Sequence, residues 1–399
     1  MSRQGGPRKP AKPRTRSAAR AEAGGRARSG AVPREGNAPR ADLGSIRARI
    51  DAIDARIHEL LNDRARFAQQ VGISKTAGGK AVDFYRPERE AQVLRKAVER
   101  NRGPLRNEEI ARLFREIMSA CLAQQEPLKV AFLGPEGTFT QAAVLKHFGS
   151  SVRALPLPAI DEVFREVEGG IADFGVVPIE NSSEGTVSHT LDMFLGSALK
   201  ICGEVELRVQ HHLMGRMNAL ADIKRVCAHP QALAQCRGWL DEHLPEPERV
   251  PVSSNAEGAR RARDERGTAA IASRAAAEIY GLTILAEEIE DRSDNTTRFL
   301  VIGRKLFTPS GADRTTLLVS ASGTDDPGAL FRLLEPFAEH GINMTRIESR
   351  PSRKRKWDYV FFMDVEGHVS DPPLAKALAS LEARASLFKV LGSYPRAVL

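Results

Sequence analysis

The sequence is poor in the residues that mark a secreted or membrane-embedded protein. Its 399 residues include only four cysteines, Cys121, Cys202, Cys227 and Cys236, with no close Cys/Cys or Cys/His spacing. That excludes a disulfide scaffold and a zinc ribbon, and reads as free thiols in a reducing, cytoplasmic setting with no metal and no cofactor. Cys227-Ala228-His229 offers one Cys and one His, too few ligands for zinc. No apolar run approaches the ~20 residues that a membrane span needs. An excess of one charge is also missing from most of the chain. The net charge is +8, but residues 1–40 hold 11 Lys+Arg against 2 Asp+Glu, leaving 48 basic and 49 acidic residues in the rest. The body is therefore neutral, which argues against a nucleic-acid-binding face. The tail, rich in Arg, Ala, Gly and Pro, lacks the apolar core of a secretion signal and is expected to be disordered.

The chain length, with 42% hydrophobic residues, implies two or three globular domains. Residues 43–125 read as three helices. Ile46, Ile50, Ile53, Ile57, Leu60, Phe67 and Val71 recur at helical spacing, with Arg64 and Lys75 on the same stripe. The second helix opens at Pro87, and Gly103-Pro104 ends it. Asn107, followed by Glu108 and Glu109, starts the third. Glu90 and Gln125 extend the apolar stripes of these two helices, so each helix carries a polar group where burial is expected. Arg64 and Lys75 are three turns apart, about 16 Å, and could grip a small dianion. Arg47 lies about 42 Å before Lys75 on a straight helix, so it can act only on a site shared with a second chain, which implies a dimer. The alternative is a buried ion-pair network in a helical bundle.

After Glu126-Pro127 the pattern alternates strand and helix. Lys129–Leu133 reads as a strand leading into Gly134-Pro135-Glu136-Gly137-Thr138-Phe139-Thr140 and a helix. A helix near 160–168, a strand at Phe174–Val177 and a turn from Pro178 to Gly185 follow. Strands at 226–229, 250–252 and 269–272 then alternate with helices at 231–243, from Ala256, and at 274–280. Two α/β lobes with mostly parallel sheets are expected, with ligands off the carboxyl ends of the strands. Next, Asn295, Thr296, Thr297 and Arg298 set an amide, two hydroxyls and a guanidinium ahead of the apolar run from Phe299. A hydroxyl can donate to a leaving oxygen, and Arg gives a rigid fork for a carboxylate. His229 before Pro230, and His211-His212, read as structural. The last 85 residues read as a ferredoxin-like βαββαβ unit.

These residues carry a resemblance. Arg47, Asp54, Arg64, Lys75, Arg89-Glu90 and Gln125 resemble the active-site pattern of the all-helical class of chorismate mutase. The middle resembles prephenate dehydratase through the Gly134 loop, Pro178-Ile-Glu-Asn-Ser-Ser-Glu-Gly and Thr297-Arg298-Phe299. The end resembles the ACT amino-acid-sensing module through Gly328-Ala329-Leu330, Gly341-Ile342-Asn343 and Glu348-Ser349-Arg350-Pro351. The order is that of the bifunctional enzymes of phenylalanine synthesis. The implied organisation is a basic tail (1–40), an all-α mutase domain (41–126), a two-lobed, periplasmic-binding-protein-like α/β dehydratase domain (128–304) and an ACT domain (314–399).

The resemblance implies that Arg64 holds a carboxylate of chorismate, with Arg47 of a second chain on the other. Lys75 and Gln125 would stabilise the ether oxygen, and Glu90 would accept from the ring hydroxyl. Arg86, Arg89 and Cys121 would line that site; Arg86 replaces an often acidic residue, and Cys121 a serine. Thr297 would serve as the donor to the hydroxide leaving prephenate. Arg298 would hold a substrate carboxylate or fix its loop, and Glu180 is an alternative acid. Gly134, Asn181, Ser182, Asn295, Thr296 and Phe299 would bind substrate. Phenylalanine is the implied effector, held by Gly328, Ala329, Leu330, Asn343, Glu348, Ser349, Arg350 and Pro351.

Overall fold

The structure is a computed structural model that describes residues 42–76, 85–321, 327–352 and 359–398, without the side chains of Lys75 and Thr76. The expected disorder of the basic tail lies outside the described residues. Two units are distinguished, Met1–Ile57 and His58–Leu399. The described part of the first is the opening of helix α1 (Leu43–Thr76). Its stripe of Ile46, Ile50, Ile53 and Ile57 is exposed. In the second unit Leu60, Phe67 and Val71 continue the stripe, also exposed. The periodicity predicts a helix with a buried face; the helix forms, but among the described residues that face is left exposed.

In the second unit, α2 (Pro87–Arg100) starts with proline at its first turn, where the missing N–H has no intrahelical acceptor to satisfy. It stops three residues ahead of Gly103. In α3 (Asn107–Ala123) the cap position belongs to Arg106, and the Asn107 side chain instead accepts from Asn101 Nδ2 at 2.9 Å.

The first α/β lobe comprises β1 (Lys129–Leu133), α4 (Phe139–Phe148), β2 (Arg153–Leu157), α5 (Ile160–Glu168) and β3 (Phe174–Asn181). It continues through β4 (Gly185–Thr186), α6 (Ser188–Gly196) and β5 (Lys200–Arg208). The second lobe runs from β6 (His212–Gly215) through β7 (Arg225–Ala228), α7 (Pro230–Gln235), α8 (Arg237–His243) and β8 (Glu248–Pro251). It ends with α9 (Asn255–Asp264), β9 (Thr268–Ala272), α10 (Arg274–Tyr280) and β10 (Thr283–Ala286). The chain then returns to the first sheet as β11 (Thr296–Gly303).

The sheet orders are β2-β1-β3-β11-β5, with β4 on β3, and β10-β6-β9-β7-β8. Both sheets are mixed, which corrects the expectation of mostly parallel ones. In the first, β1 pairs in parallel with β2 and β3, while β11 runs antiparallel to β3 and β5. The cause is the double crossing between lobes: the chain leaves through β5 and comes back through β11 alongside it. The expected turn at Pro178 is also strand as far as Asn181. A register shift opposite Arg298/Phe299 accommodates Pro178, which has no N–H for the ladder.

The C-terminal segment is β12 (Asp313–Ala321), α11 (Ala329–Glu339), β13 (Met344–Pro351), β14 (Tyr359–Glu366), α12 (Pro372–Arg384) and β15 (Ala385–Pro395). Its sheet order, β13-β14-β12-β15, gives the expected βαββαβ unit. Strand alternation sends Leu317, Val319, Met363 and Val365 toward the two helices. Leu318, Val360, Phe362 and Leu391 point the other way, into one core with Ile179, Leu191, Phe194, Ile201 and Leu300 of the first lobe. The segment therefore shares a core with the α/β region. Phe362→Ala is expected to destabilise both together by ~3–5 kcal/mol, seen as one urea transition moved to lower denaturant. Separate transitions for the two segments would contradict a common core.

Candidate active sites

Two cavities gather the chemistry. The first, about 310 Å³, lies between α1, α2 and α3 and is lined by Arg64, Arg86, Arg89, Glu90, Cys121 and Gln125. Helical spacing explains the gathering. Arg86, Arg89 and Glu90 fall at and after the start of α2, Cys121 is in the last turn of α3, and Gln125 follows two residues past its end. The Arg64 and Arg89 side chains have no ion-pair or hydrogen-bond partner among the described residues, whereas Arg86 pairs with Glu88 at 2.6 Å. Gln125 Nε2 donates to Ala68 O at 2.8 Å, which fixes the amide against α1. Arg47 lies in the first unit and is exposed, and the Lys75 side chain lies outside the described residues.

Burial raises the Glu90 carboxyl from 4.5 to about 7, with Arg115 opposing. Part of that burial comes from the α/β lobe, because Phe148, Ser151 and Val152 form one wall of the cavity. Tyr85, just ahead of α2, packs on Phe148 and Phe174 at 5.2 Å each. Its hydroxyl lies 3.0 Å from His147 Nε2. Burial, with Arg115 adding to it, lowers that histidine to about 3, so at neutral pH the ring beside the tyrosine hydroxyl is uncharged. No sequence pattern pointed to this wall.

The second cavity, about 330 Å³, opens between the two lobes at the carboxyl ends of β1, β3, β7 and β8. From the first sheet it receives Gly134, Asn181, Asn295, Thr297 and Phe299; from the second lobe, His211, His229, Gln235, Ser254 and Asn255. None of its lining residues is Asp, Glu, Lys or Arg. Asn181 and Thr297 are cross-strand partners on β3 and β11. Asn181 Nδ2 donates to Thr297 Oγ1 and to Asn295 Oδ1, both at 2.8 Å. Asn295 Nδ2 in turn donates to Gln235 Oε1 at 3.0 Å. The Thr297 oxygen thus accepts from an amide, which leaves its own proton for the cleft. Thr138 caps α4 and Ser254 caps α9, so two helix N-termini face the same space.

Sequence reasoning missed Gln235, the last residue of α7, and Ser254 and Asn255, although the last two follow β8 at its carboxyl end. Of the three histidines read as structural, His211 and His229 line the cleft. His229 Nδ1 caps α7 by accepting from Gln231 N at 3.3 Å. His211 Nε2 is 2.9 Å from Gln235 Oε1, which can only accept, so that nitrogen carries the proton. Nδ1 of His211 and Nε2 of Gln235 are buried without partners.

Strand alternation takes the other expected residues elsewhere. Arg298 is not brought into the cleft. On the opposite face of β11 it meets Glu204 at 2.9 Å, Asp364 at 2.6 Å and the Tyr394 hydroxyl at 3.0 Å. Glu180 likewise turns away, to Arg346 at 3.1 Å. Ser182 and Thr296 form the turn beside the cleft, with Thr296 N donating to Ser182 Oγ at 2.9 Å. In the C-terminal segment, Gly328, Leu330, Asn343, Ser349 and Pro351 are exposed and Ala329 is half-buried. Glu348 and Arg350, expected to join them, instead reach Thr186 at 3.0 Å and Asp192 at 3.1 Å on the first lobe.

Family models match three stretches: chorismate mutase type II over residues 46–126, prephenate dehydratase over 130–306 and the ACT domain over 317–383. A bifunctional chorismate mutase/prephenate dehydratase of Stutzerimonas stutzeri is 56% identical over 90% of this chain and 98% of its own length. One from Neisseria gonorrhoeae is 52% identical over 88% of this chain and 97% of its own length. Among solved structures, a prephenate dehydratase from Arthrobacter aurescens in complex with L-Phe is 40% identical, with a TM-score of 0.63 over 68% of this chain and 93% of that one. A quorum-quenching acylase, GqqA, is 34% identical, with a TM-score of 0.61 over 67% of this chain and 98% of that one. Charged helical cavity, neutral interlobe cleft and C-terminal sensing fold occur here in one order, and the chain belongs to the bifunctional chorismate mutase/prephenate dehydratase family.

Proposed function

We propose that the family's two reactions run at the two cavities, and that their different electrostatics suit the two steps. The chain is a bifunctional enzyme of phenylalanine biosynthesis. It rearranges chorismate to prephenate, then decarboxylates and dehydrates prephenate to phenylpyruvate.

The rearrangement needs no nucleophile. It needs a folded dianion and a donor where the C–O bond breaks. The unpaired Arg64 and Arg89 supply cations over the helical cavity. Arg47 of a second chain adds another, Lys75 and Gln125 donate to the ether oxygen, and Glu90 accepts from the ring hydroxyl. The exposed apolar stripe of α1 supports a homo-oligomer of at least two chains, since an unburied stripe of that length calls for a cover.

In the second step the ring carboxylate leaves as carbon dioxide. Its electron pair aromatises the ring and expels hydroxide, which takes a proton to become water. A fixed cation against that carboxylate would stabilise the ground state and slow its loss. The cleft offers none. The Thr297 hydroxyl, its oxygen already occupied by Asn181, donates to the departing hydroxide, and that orientation carries the reading. The N-termini of α4 and α9 receive carboxylate charge through free backbone N–H groups.

Phenylalanine is the proposed effector, at the exposed Gly328–Leu330 helix start and the Ser349 face of β13. Four buried free thiols support a cytoplasmic location, and among the described residues no helix is long and apolar enough to cross a membrane.

Conversion of chorismate to phenylpyruvate by the purified chain, followed by ultraviolet absorbance, tests the whole reading. Arg64→Ala is expected to abolish the rearrangement and leave dehydration of supplied prephenate nearly intact; loss of both with retained folding would mean one shared site. Mixed Arg47→Ala and Arg64→Ala chains should regain part of the rearrangement if Arg47 crosses between chains. Thr297→Ala should lower dehydration by ~10²-fold or more, as loss of one transition-state donor does, with Thr297→Ser retaining much of the rate. Equal rates in the two variants would remove the hydroxyl from the mechanism.

Glu90 gives a pH signature. Its folded carboxyl titrates near 7 against 4.5 when free, so between those values the folded state binds more protons than the unfolded one. Its contribution to stability therefore falls as pH rises through that window and is constant above it. The hydroxyl-accepting form is the carboxylate, so mutase kcat/KM should rise through about 7. Glu90→Gln should flatten both profiles; an unchanged stability slope would assign the titration to another group.

A further inference from the structure

We propose that Glu180, Arg298, Arg346 and Asp364 form a clamp through which the C-terminal segment sets the position of Asn181 and Thr297 in the cleft. The four are positioning residues, and none touches substrate. The inference rests on the reading of Asn181 and Thr297 as cleft donors.

The geometry is a crossed quartet. On the first sheet Asn181 is the cross-strand partner of Thr297, and Glu180 that of Arg298. Successive residues of a strand point to opposite faces, so the neutral pair faces the cleft and the charged pair faces the C-terminal sheet. On that sheet Arg346 and Asp364 are cross-strand partners as well. Each sheet therefore presents one cation and one anion side by side, and opposites meet: Glu180 with Arg346 at 3.1 Å, Arg298 with Asp364 at 2.6 Å.

A register shift lies next to Arg298, and another between Met344 and Arg346. The second aims Arg346, Glu348 and Arg350 together at the first lobe, while Met344, before it, packs toward the helices. Bulges commonly re-aim side chains in this way beside functional sites. The surroundings hold the quartet in a single arrangement. Thr316 Oγ1 donates to Asp364 at 2.7 Å, and the Tyr394 hydroxyl lies 2.8 Å from Thr316 and 3.0 Å from Arg298. Glu204 also binds Arg298 and Arg314. Burial works against the Arg298 charge, and Tyr394, Asp364 and Glu204 more than offset it, so the guanidinium stays charged.

A strand segment is stiff across one residue, so a displacement of Glu180 or Arg298 is a displacement of Asn181 or Thr297. A ligand that shifts the C-terminal sheet against the first lobe would therefore move the donor pair without entering the cleft. It can do so only by binding the two arrangements with different affinity.

The test uses the full-length chain with Glu180→Gln, Arg346→Gln, their double variant, Asp364→Asn and Tyr394→Phe. Dehydration of supplied prephenate, the mutase rate and inhibition by phenylalanine are measured for each. Glu180→Gln and Arg346→Gln should each lower dehydratase kcat about tenfold with KM within about twofold, because sub-ångström misplacement of a donor costs turnover before affinity. The double variant should be no worse than either single one, the mark of one shared interaction. Mutase rates should stay at wild type, and the half-inhibitory phenylalanine concentration should move in each variant. Tyr394→Phe, which removes only a hydroxyl, should shift kcat in the same direction by less and keeps the test open if Asp364→Asn fails to fold. Wild-type kcat and wild-type inhibition in Glu180→Gln and Arg346→Gln would overturn the clamp. So would a raised KM in Glu180→Gln with Arg346→Gln silent, which would return Glu180 to the substrate. Thr297→Ala, run alongside, reports on the donor reading alone: if silent, that reading falls, while coupling between positions 180 and 346 still answers for the clamp.

Discussion

The hydrogen bond from Asn181 to Thr297, at 2.8 Å, is the contact on which the interlobe cleft depends. It joins β3 to β11, the strand that leaves the second lobe and re-enters the first sheet. It also fixes which way a hydroxyl donates. A lone threonine in a cleft can rotate its proton toward any acceptor; one whose oxygen is filled by an amide presents that proton outward. Because Asn181 is itself held by Asn295, and Asn295 by Gln235 of the second lobe, the orientation is set by both lobes. The atoms left over, His211 Nδ1 and Gln235 Nε2, are the ones beside the cleft.

The two cavities differ in charge, and under the proposed assignment that difference has a chemical reason. Rearrangement keeps both carboxylates, so arginines that hold them tightly help to preorganise the substrate. Decarboxylation destroys one, and a cation fixed against it would oppose the reaction. The sequence contains Arg298 and Glu180 within one residue of the cleft donors, yet the pleat turns both away from it. The same alternation that keeps charge out of the cleft places it on the seam with the C-terminal segment.

Much of this was legible in the sequence. Helical spacing gave the three N-terminal helices. Of the residues that line their cavity, Arg64, Glu90 and Gln125 were named from that spacing, and Arg86, Arg89 and Cys121 from the family resemblance. The βαββαβ segment followed from its strand and helix periods. What could not be read was facing. Whether Arg298 or Thr297 points into the cleft depends on register, and a register shift opposite Arg298/Phe299 is invisible to composition. The mixed sheets were hidden for the same reason, since β5 and β11 pair only because the chain crosses between lobes twice. Gln235, Ser254 and Asn255 reach the cleft from the far lobe, and no local signal carries a distance across a fold. The apolar stripe of α1 was read correctly as a stripe, but its burial requires a surface that the described chain does not supply.

The segments are joined more tightly than their separate motifs suggest. Tyr85 belongs to the stretch that launches α2, yet its ring sits in the core of the first lobe between Phe148 and Phe174. Five residues later Glu90 lines the helical cavity. At the other end, Phe362 and Leu391 of the sensing fold share a core with Leu300 of the returning strand. Close-packed cores transmit displacement, because they have few voids to absorb it. A change in the C-terminal sheet therefore meets β11 through apolar contact as well as through ion pairs. The ion pairs add direction: each cation has its own anion, and an exchange of partners would set Glu180 against Asp364 and Arg298 against Arg346. Apolar packing gives this seam its strength, and the charges give it a single register.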